Sequence, residues 1–179
     1  MIYVLDTNVL SSAFKIIKIE SFPAFWYSIE KLINDNLIIS TREVYRELEN
    51  FFIKKDKSDN DVVTVWLLGH KNIFLTPSQE VCSVVARIFE NKHYKQIIKK
   101  DNILTGKPEA DPFVIAQAKI IHGTVVTNEV YKDNAAKIPN ICKDFGVKCI
   151  DADEFYKFVN EFFDENLSEE YYMNQHYKK

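Results

Sequence analysis

The chain has 179 residues, 23 lysines and arginines against 26 aspartates and glutamates, and a formal charge of −3. That length suits one domain with a real core, and a 46% hydrophobic composition containing 13 Phe, 9 Tyr and 2 Trp excludes disorder throughout. No apolar run approaches the roughly 20 residues that span a bilayer, and a charge so near zero argues against nucleic acid only until the charges are located.

Ile2 to Leu5 is an apolar run delivering Asp6 at its end, the pattern of a buried strand. The acid comes too early for a secretory leader. A helical pattern starts by Val9 and is interrupted at Pro23, after which Phe25, Trp26, Ile29, Leu32 and Ile33 mark an apolar helix face. Asn34-Asp35-Asn36 is a turn cluster, Leu37 to Ser40 a second strand, and Thr41 a cap for a helix running to about Ile53. Lys54 to Asn60 reads as an exposed loop. Val62 to Leu68 predicts a helix, Asn72 to Leu75 a short strand, and Ser78 with Val81, Val84, Val85 and Ile88 a further helix. Lys92 to Gly106 is mixed. Asp111-Pro112 opens a helix carrying Val114, Ile115, Ala118 and Ile121, with Gly123 as its terminator. Thr124 to Thr127 is a β-branched strand. A polar loop runs to Lys137, Val147 to Ile150 is a last strand, and Phe155, Phe158, Val159 and Phe162 form a final helical stripe. Short strands alternating with longer helices predict a three-layer α/β/α sandwich on a mostly parallel sheet. The expected organisation is one domain over 1–163 and a polar tail over 164–179.

Parallel sheets place their ligands beyond the C-terminal ends of the strands. Acids recur there: Asp6 after the first strand, Glu47 on the helix after the second, Asp111 at a helix start, and Glu129 and Asp133 after the strand ending at Thr127. Each has a plain local explanation. Asp6 and Asp111 are in cap positions, and Glu47 belongs to a charged helix on which Glu43, one turn earlier, is a direct rival. Gathered together, the carboxylates would raise one another's pKa unless cations offset the repulsion, and all-oxygen ligands favour Mg²⁺ or Mn²⁺. Thr7, Asn8, Thr127 and Asn128 supply short polar groups beside the acids.

Tyr3-Val4-Leu5-Asp6-Thr7-Asn8-Val9-Leu10, Ile39-Ser40 through Glu47-Leu48, Ala110-Asp111-Pro112-Phe113-Val114-Ile115-Ala116 and Val125-Val126-Thr127-Asn128-Glu129 together resemble PIN-domain nucleases. The last three, with Lys137-Ile138-Pro139-Asn140-Ile141-Cys142, resemble a prokaryotic subgroup of that family found near antitoxin-like regulators. The resemblance covers roughly residues 1–150, with extra material around 54–106 and after 150. It implies a PIN-like fold and a Mg²⁺- or Mn²⁺-dependent endoribonuclease, commonly the toxin of a type II toxin–antitoxin pair. Asp6, Glu47 and Asp111 match the first three acids of the metal site. Glu129 is the nearest match to the fourth, with Asp133 open as well. Thr7 and Asn8 match the polar pair after the first acid, and Thr127 the hydroxyl at the end of the fourth strand.

An RNA substrate needs cations. Lys15, Lys18, Lys54, Lys55, Lys57, Lys95, Lys99, Lys100, Lys132 and Lys137 are candidates, Lys132 and Lys137 best because they flank the acids, with Tyr131 available to stack on a base. The charge also divides unevenly: residues 151–170 hold 8 acids and one lysine, leaving the rest of the chain at +4. A binding module of the same fold without cleavage is the alternative reading. The apolar helices around Phe22 to Ile33 and Phe155 to Phe163 either bury in the core or form a homodimer. A P-loop is excluded by the absence of a Gly-rich strand–loop–helix in a chain with only 4 Gly. An aspartyl-nucleophile phosphohydrolase would need an acid where Asn8 stands. Cys82, Cys142 and Cys149 lack the CxxC spacing of a zinc site and are too few for a disulfide framework, so a cytoplasmic protein is expected.

Overall fold

The computed structural model describes residues 1–54, 61–97, 109–167 and 171. Strand β1 (Tyr3–Leu5) is buried along its whole length, as expected of a strand covered on both faces. Helix α1 (Thr7–Ile16) starts where the Asp6 carboxylate accepts the Thr7 N–H at 2.6 Å. In α2 (Pro23–Asn34) the stripe Phe25, Trp26, Ile29, Leu32 and Ile33 is buried, and Asn36 adopts positive φ in the turn beyond. Strand β2 (Ile38–Thr41) leads into α3 (Arg42–Leu48), with Thr41 as its N-cap. The expected single helix to Ile53 instead changes into a π-helical turn over Glu49–Ile53.

Helix α4 (Val62–Gly69) is capped by Asp61. Strand β3 (Phe74–Leu75) is shorter than its sequence pattern, because Lys71–Ile73 winds into a 3₁₀ turn. Ser78 caps α5 (Gln79–Glu90), whose Val81, Val84, Val85 and Ile88 are buried. Helix α6 (Asp111–Ile121) precedes β4 (Thr124–Thr127). The left-handed terminator of α6 is His122, at φ 54°, and not Gly123. Gly123 is needed for close approach instead. A Cβ there would stand 2.9 Å from the Ile2 carbonyl oxygen, so the glycine lets β4 start against β1. Helix α7 (Ile138–Phe145) is an element that the sequence reading did not include; Pro139 stands in its first turn, Ile138, Ile141 and Cys142 are buried, and Lys143 and Asp144 face outward. Strand β5 (Lys148–Asp151) and α8 (Ala152–Asn166), capped by Asp151, complete the fold. Helix α8 continues past 163, Leu167 is buried, and the Tyr171 ring meets those of Tyr27 and Phe163.

The five strands among the described residues are all parallel, in the order β3-β2-β1-β4-β5. Helix α6 lies on β1, β2 and β4 with α5 and α7 beside it, while α2 and α8 pack on one another and on β2, β4 and β5. The result is the expected three-layer, PIN-like α/β/α sandwich. The apolar faces of α2 and α8 are therefore used inside the chain, Phe25 meeting Tyr156 and Tyr3 meeting Phe155. All three cysteines are free thiols. No helix among the described residues is long and apolar enough to cross a membrane.

Candidate active site

Connections leaving β1 and β4 run to opposite sides of the sheet, which opens a crevice at the C-terminal ends of these two neighbours. Asp6 lies at the end of β1 and is 1% exposed. Its Oδ1 accepts the Thr7 N–H at 2.6 Å and its Oδ2 the Thr127 hydroxyl at 2.9 Å. Thr127 Oγ1 in turn accepts the Asn8 amide at 3.2 Å and the Glu129 N–H at 3.1 Å. Asn128 closes the group, donating its N–H to Asn8 Oδ1 at 2.8 Å and its amide to the Asn8 carbonyl and Ser12 Oγ, both at 3.1 Å. The polar residues flanking the two strand ends thus form one network across the crevice.

Glu47 reaches the same place from α3. Its Oε2 accepts the Thr7 hydroxyl at 2.6 Å and its Oε1 the Ala110 N–H at 3.1 Å, linking α3 to α1 and to the start of α6. Glu43 turns elsewhere: its Oε1 pairs with Arg42 at 2.8 Å. Asp111 is the first residue of α6 but does not cap it, the cap position being Ala110 without a side-chain bond. Glu129 Oε2 accepts the Ile138 N–H at 2.8 Å, folding the loop after β4 back on itself. Asp133 is exposed.

Electrostatics tie these acids together. Burial pushes the Asp6 carboxyl up to about 7, with the charges of Glu47 and Glu129 adding to the rise and the bonds from Thr127 and Thr7 opposing it. Asp111 is raised well above its ordinary range by burial and then by Asp6, Glu129, Glu47 and Glu109. Four of the five acids singled out in the sequence therefore feel one another. Glu109, the Ala110 N–H, Ser12 and the buried Ser40, which donates to the Leu5 carbonyl at 2.6 Å, were not singled out. Glu109 alone carried a legible signal, as an acid two positions before Asp111. The lysines Lys15, Lys18, Lys54, Lys95 and Lys132 are exposed and Lys137 is half-buried. Lys55, Lys57, Lys99 and Lys100 lie outside the described residues.

Among the described residues, no three His, Cys, Asp or Glu side chains are posed closely enough to hold a metal ion. Both Glu47 oxygens and one Glu129 oxygen face hydrogen-bond donors. The donor set is nonetheless all carboxylate, and a group of acids in which Asp6 and Asp111 are both raised is chemically suited to a hard divalent cation.

In class, then, the chain is a three-layer α/β/α domain of PIN-like fold with an acidic crevice at its topological switch point. It belongs to the family described as Domain of unknown function (DUF4411), whose family model matches residues 3–161. No curated protein matches it. Solved structures share the fold. VapBC2 from Rickettsia felis, bound to a DNA fragment from its promoter, is 18% identical over 84% of this chain and 98% of its own, with a TM-score of 0.50. VapBC-1 from nontypeable Haemophilus influenzae is 15% identical over 85% of this chain and 98% of its own, with a TM-score of 0.50.

Proposed function

We propose that this chain is a Mg²⁺- or Mn²⁺-dependent endoribonuclease, a single catalytic domain acting in the cytoplasm as the toxin of a type II toxin–antitoxin pair. The observation that carries the reading is the electrostatic grouping of Asp6, Glu47, Asp111 and Glu129, drawn from four separate places in the chain to the crevice between β1 and β4. Asp6 and Asp111 would hold the principal ion with Glu47 completing its surroundings. Glu129 would serve a second ion or the outer shell, a role for which the exposed Asp133 is less suited. A bound divalent ion supplies positive charge to the acids and to the scissile phosphate, and lowers the pKa of water.

The rest of the work falls to the protein. Thr7 and Thr127 fix the two oxygens of Asp6, and Asn8 and Asn128 keep the two strand ends in register. Glu47 orients the attacking water by accepting its hydrogen bond. Lys132 and Lys137, on the loop after β4, contact the RNA backbone. The VapBC likeness supports the fold, and the toxin assignment rests on it together with the sequence resemblance. Exposed Phe51, Val65 and Leu68 support a protein partner, an antitoxin first and a second copy of the chain next.

The test is Mn²⁺-dependent cleavage of single-stranded RNA by purified protein. Asp6→Asn should abolish it while leaving the fold intact, and full activity of that variant removes the assignment. The posing of Glu47 and Glu129 onto hydrogen-bond donors favours a second reading, a binding module that does not cleave. Calorimetry separates the two: Mn²⁺ binding that depends on Asp6 and Asp111, followed by turnover, supports the enzyme, and binding of RNA without either supports the module.

A further inference from the structure

A cavity of about 340 Å³ is walled by the loop after β4, by α7 and by the turn after α5. Tyr131, Asn134, Asn140, Lys143 and Asp144 line it, together with Tyr94. Its volume falls within the range of small-ligand sites. The lining combines exposed aromatic area, side-chain amides and a cation in one place.

The wall is held in shape by its own hydrogen bonds. Asn140 Nδ2 donates to the Lys132 carbonyl at 2.8 Å and its Oδ1 accepts the Lys132 N–H at 3.4 Å. Asn140 is buried, so this clasp fixes the loop over α7. The Glu129 bond to the Ile138 N–H closes the same loop at its base. Asn134 sits at φ 55°, a left-handed conformation that asparagine tolerates, and its side chain is exposed. The Tyr131 ring is 46% exposed, and Lys143 Nζ stands 5.0 Å from its centroid. The Tyr94 hydroxyl donates to Asp144, which ties up the one acid in the lining.

Position links this hollow to the crevice. Glu129 belongs to the acid group, and Tyr131 follows it by two residues, at most about 7 Å of extended chain. A nucleic-acid strand with a phosphate at the acids therefore has its neighbouring nucleotide within reach of Tyr131. An aromatic face takes any base by stacking, an amide bonds the base edge, and a lysine beside the ring meets phosphate.

We propose that this cavity is a nucleotide subsite for single-stranded RNA, in which a base stacks on Tyr131, Asn134 bonds its edge and Lys143 contacts the adjoining phosphate. The proposal rests on the reading of the chain as a protein acting on RNA, but it is read out by binding and not by cleavage. The probe is a short fluorescein-labelled single-stranded RNA of mixed sequence, titrated with the full chain in EDTA and followed by anisotropy. Stacking contributes about 1–3 kcal/mol per base by alanine substitution, so Tyr131→Ala should weaken binding at least about fivefold. Tyr131→Phe keeps the ring and should stay within about twofold of the parent. Lys143→Ala should weaken binding and flatten its salt dependence. Circular dichroism of each variant separates lost contact from lost fold, and the Phe variant carries the test if the Ala variant does not fold: loss of binding there overturns stacking. Unchanged affinity in folded Tyr131→Ala and Lys143→Ala, or no RNA binding by the parent, overturns the subsite. Ring-dependent binding by a protein that never cleaves supports the subsite and removes the nuclease; Asp6-dependent cleavage with affinity indifferent to Tyr131 does the reverse.

Discussion

Replacing Asp6 by asparagine should give the metal-free protein a stability advantage over the parent that grows as the pH rises, while removing the proposed cleavage. The carboxyl is buried and lifted from 3.8 to about 7. A carboxyl raised in the folded state binds its proton more tightly there than in the unfolded chain, so stability falls as pH climbs from about 4 and levels off above about 7. Each pKa unit corresponds to about 1.4 kcal/mol. At pH 5 the folded protein carries a penalty of roughly 2 kcal/mol, and at pH 8 one of roughly 4 kcal/mol, from this group. Asparagine does not ionise and escapes both. It also weakens the bonds from Thr7 and Thr127, a cost of about 1–2 kcal/mol that is much the same at both pH values. The pH-independent part cancels in the comparison. The variant's advantage over the parent should therefore grow by roughly 2–3 kcal/mol between pH 5 and pH 8. Relief of Asp111, which the Asp6 charge also raises, acts in the same direction. Urea unfolding in EDTA, followed by the fluorescence of the buried Trp26 and Trp66, measures it. Parallel stability–pH curves for parent and variant would refute the reasoning, since they would mean that Asp6 is not held in a raised state at all.

Thr127→Val should cost about 2–4 kcal/mol in thermal unfolding, because it removes the bond to Asp6 and orphans the Asn8 amide and the Glu129 N–H; Thr127→Ser, which keeps the hydroxyl, should recover most of the loss. His70 bridges α4 to α2, with Nε2 2.7 Å from Glu30 Oε2 and Nδ1 2.8 Å from the Trp66 carbonyl, an arrangement that both ring protons satisfy. Its pKa is raised, chiefly by the bond to Glu30. The clasp should therefore stabilise the fold below about pH 6.5 and weaken as pH rises through the folded value, a dependence that Glu30→Gln should flatten in pH-resolved melts. Gly123→Ala should lower stability by about 1–3 kcal/mol, since the added Cβ meets backbone 2.9 Å away in the β1–β4 pairing. His122→Gly, one residue earlier, should raise stability by up to about 1 kcal/mol by relieving a non-glycine left-handed residue. Equal effects of the two substitutions in differential scanning calorimetry would contradict this division of labour.

Local chemistry made much of the fold legible. The stripe from Phe25 to Ile33, the caps at Thr41 and Ser78, and the β-branched run Thr124 to Thr127 depend on spacing, capping groups and side-chain shape within a few residues of one another. Helix α7 has a legible pattern, Ile138, Ile141, Cys142 and Phe145 at i, i+3, i+4 and i+7 with Pro139 in the first turn and a left-handed Gly146 at the end, but it is only eight residues long and follows a polar loop directly. The terminator of α6 was misplaced because glycine is the usual left-handed residue, whereas here backbone crowding against Ile2 claims Gly123 and leaves the turn to His122.

Carboxylates at strand ends could be seen from the sequence alone; their assembly could not. Glu43 and Glu47 lie one turn apart on the same helix, and no local rule separates them. The choice is made by groups far away in the chain, Thr7 and the Ala110 N–H, which engage Glu47, while Glu43 pairs with its neighbour Arg42. Asp6 and Thr127 meet only because β1 and β4 pair in parallel, a register set by long-range packing. Residue types determined which groups have chemistry to offer. Tertiary structure determined which share a crevice, because a raised pKa or a shared hydrogen bond depends on distance through space and not along the chain.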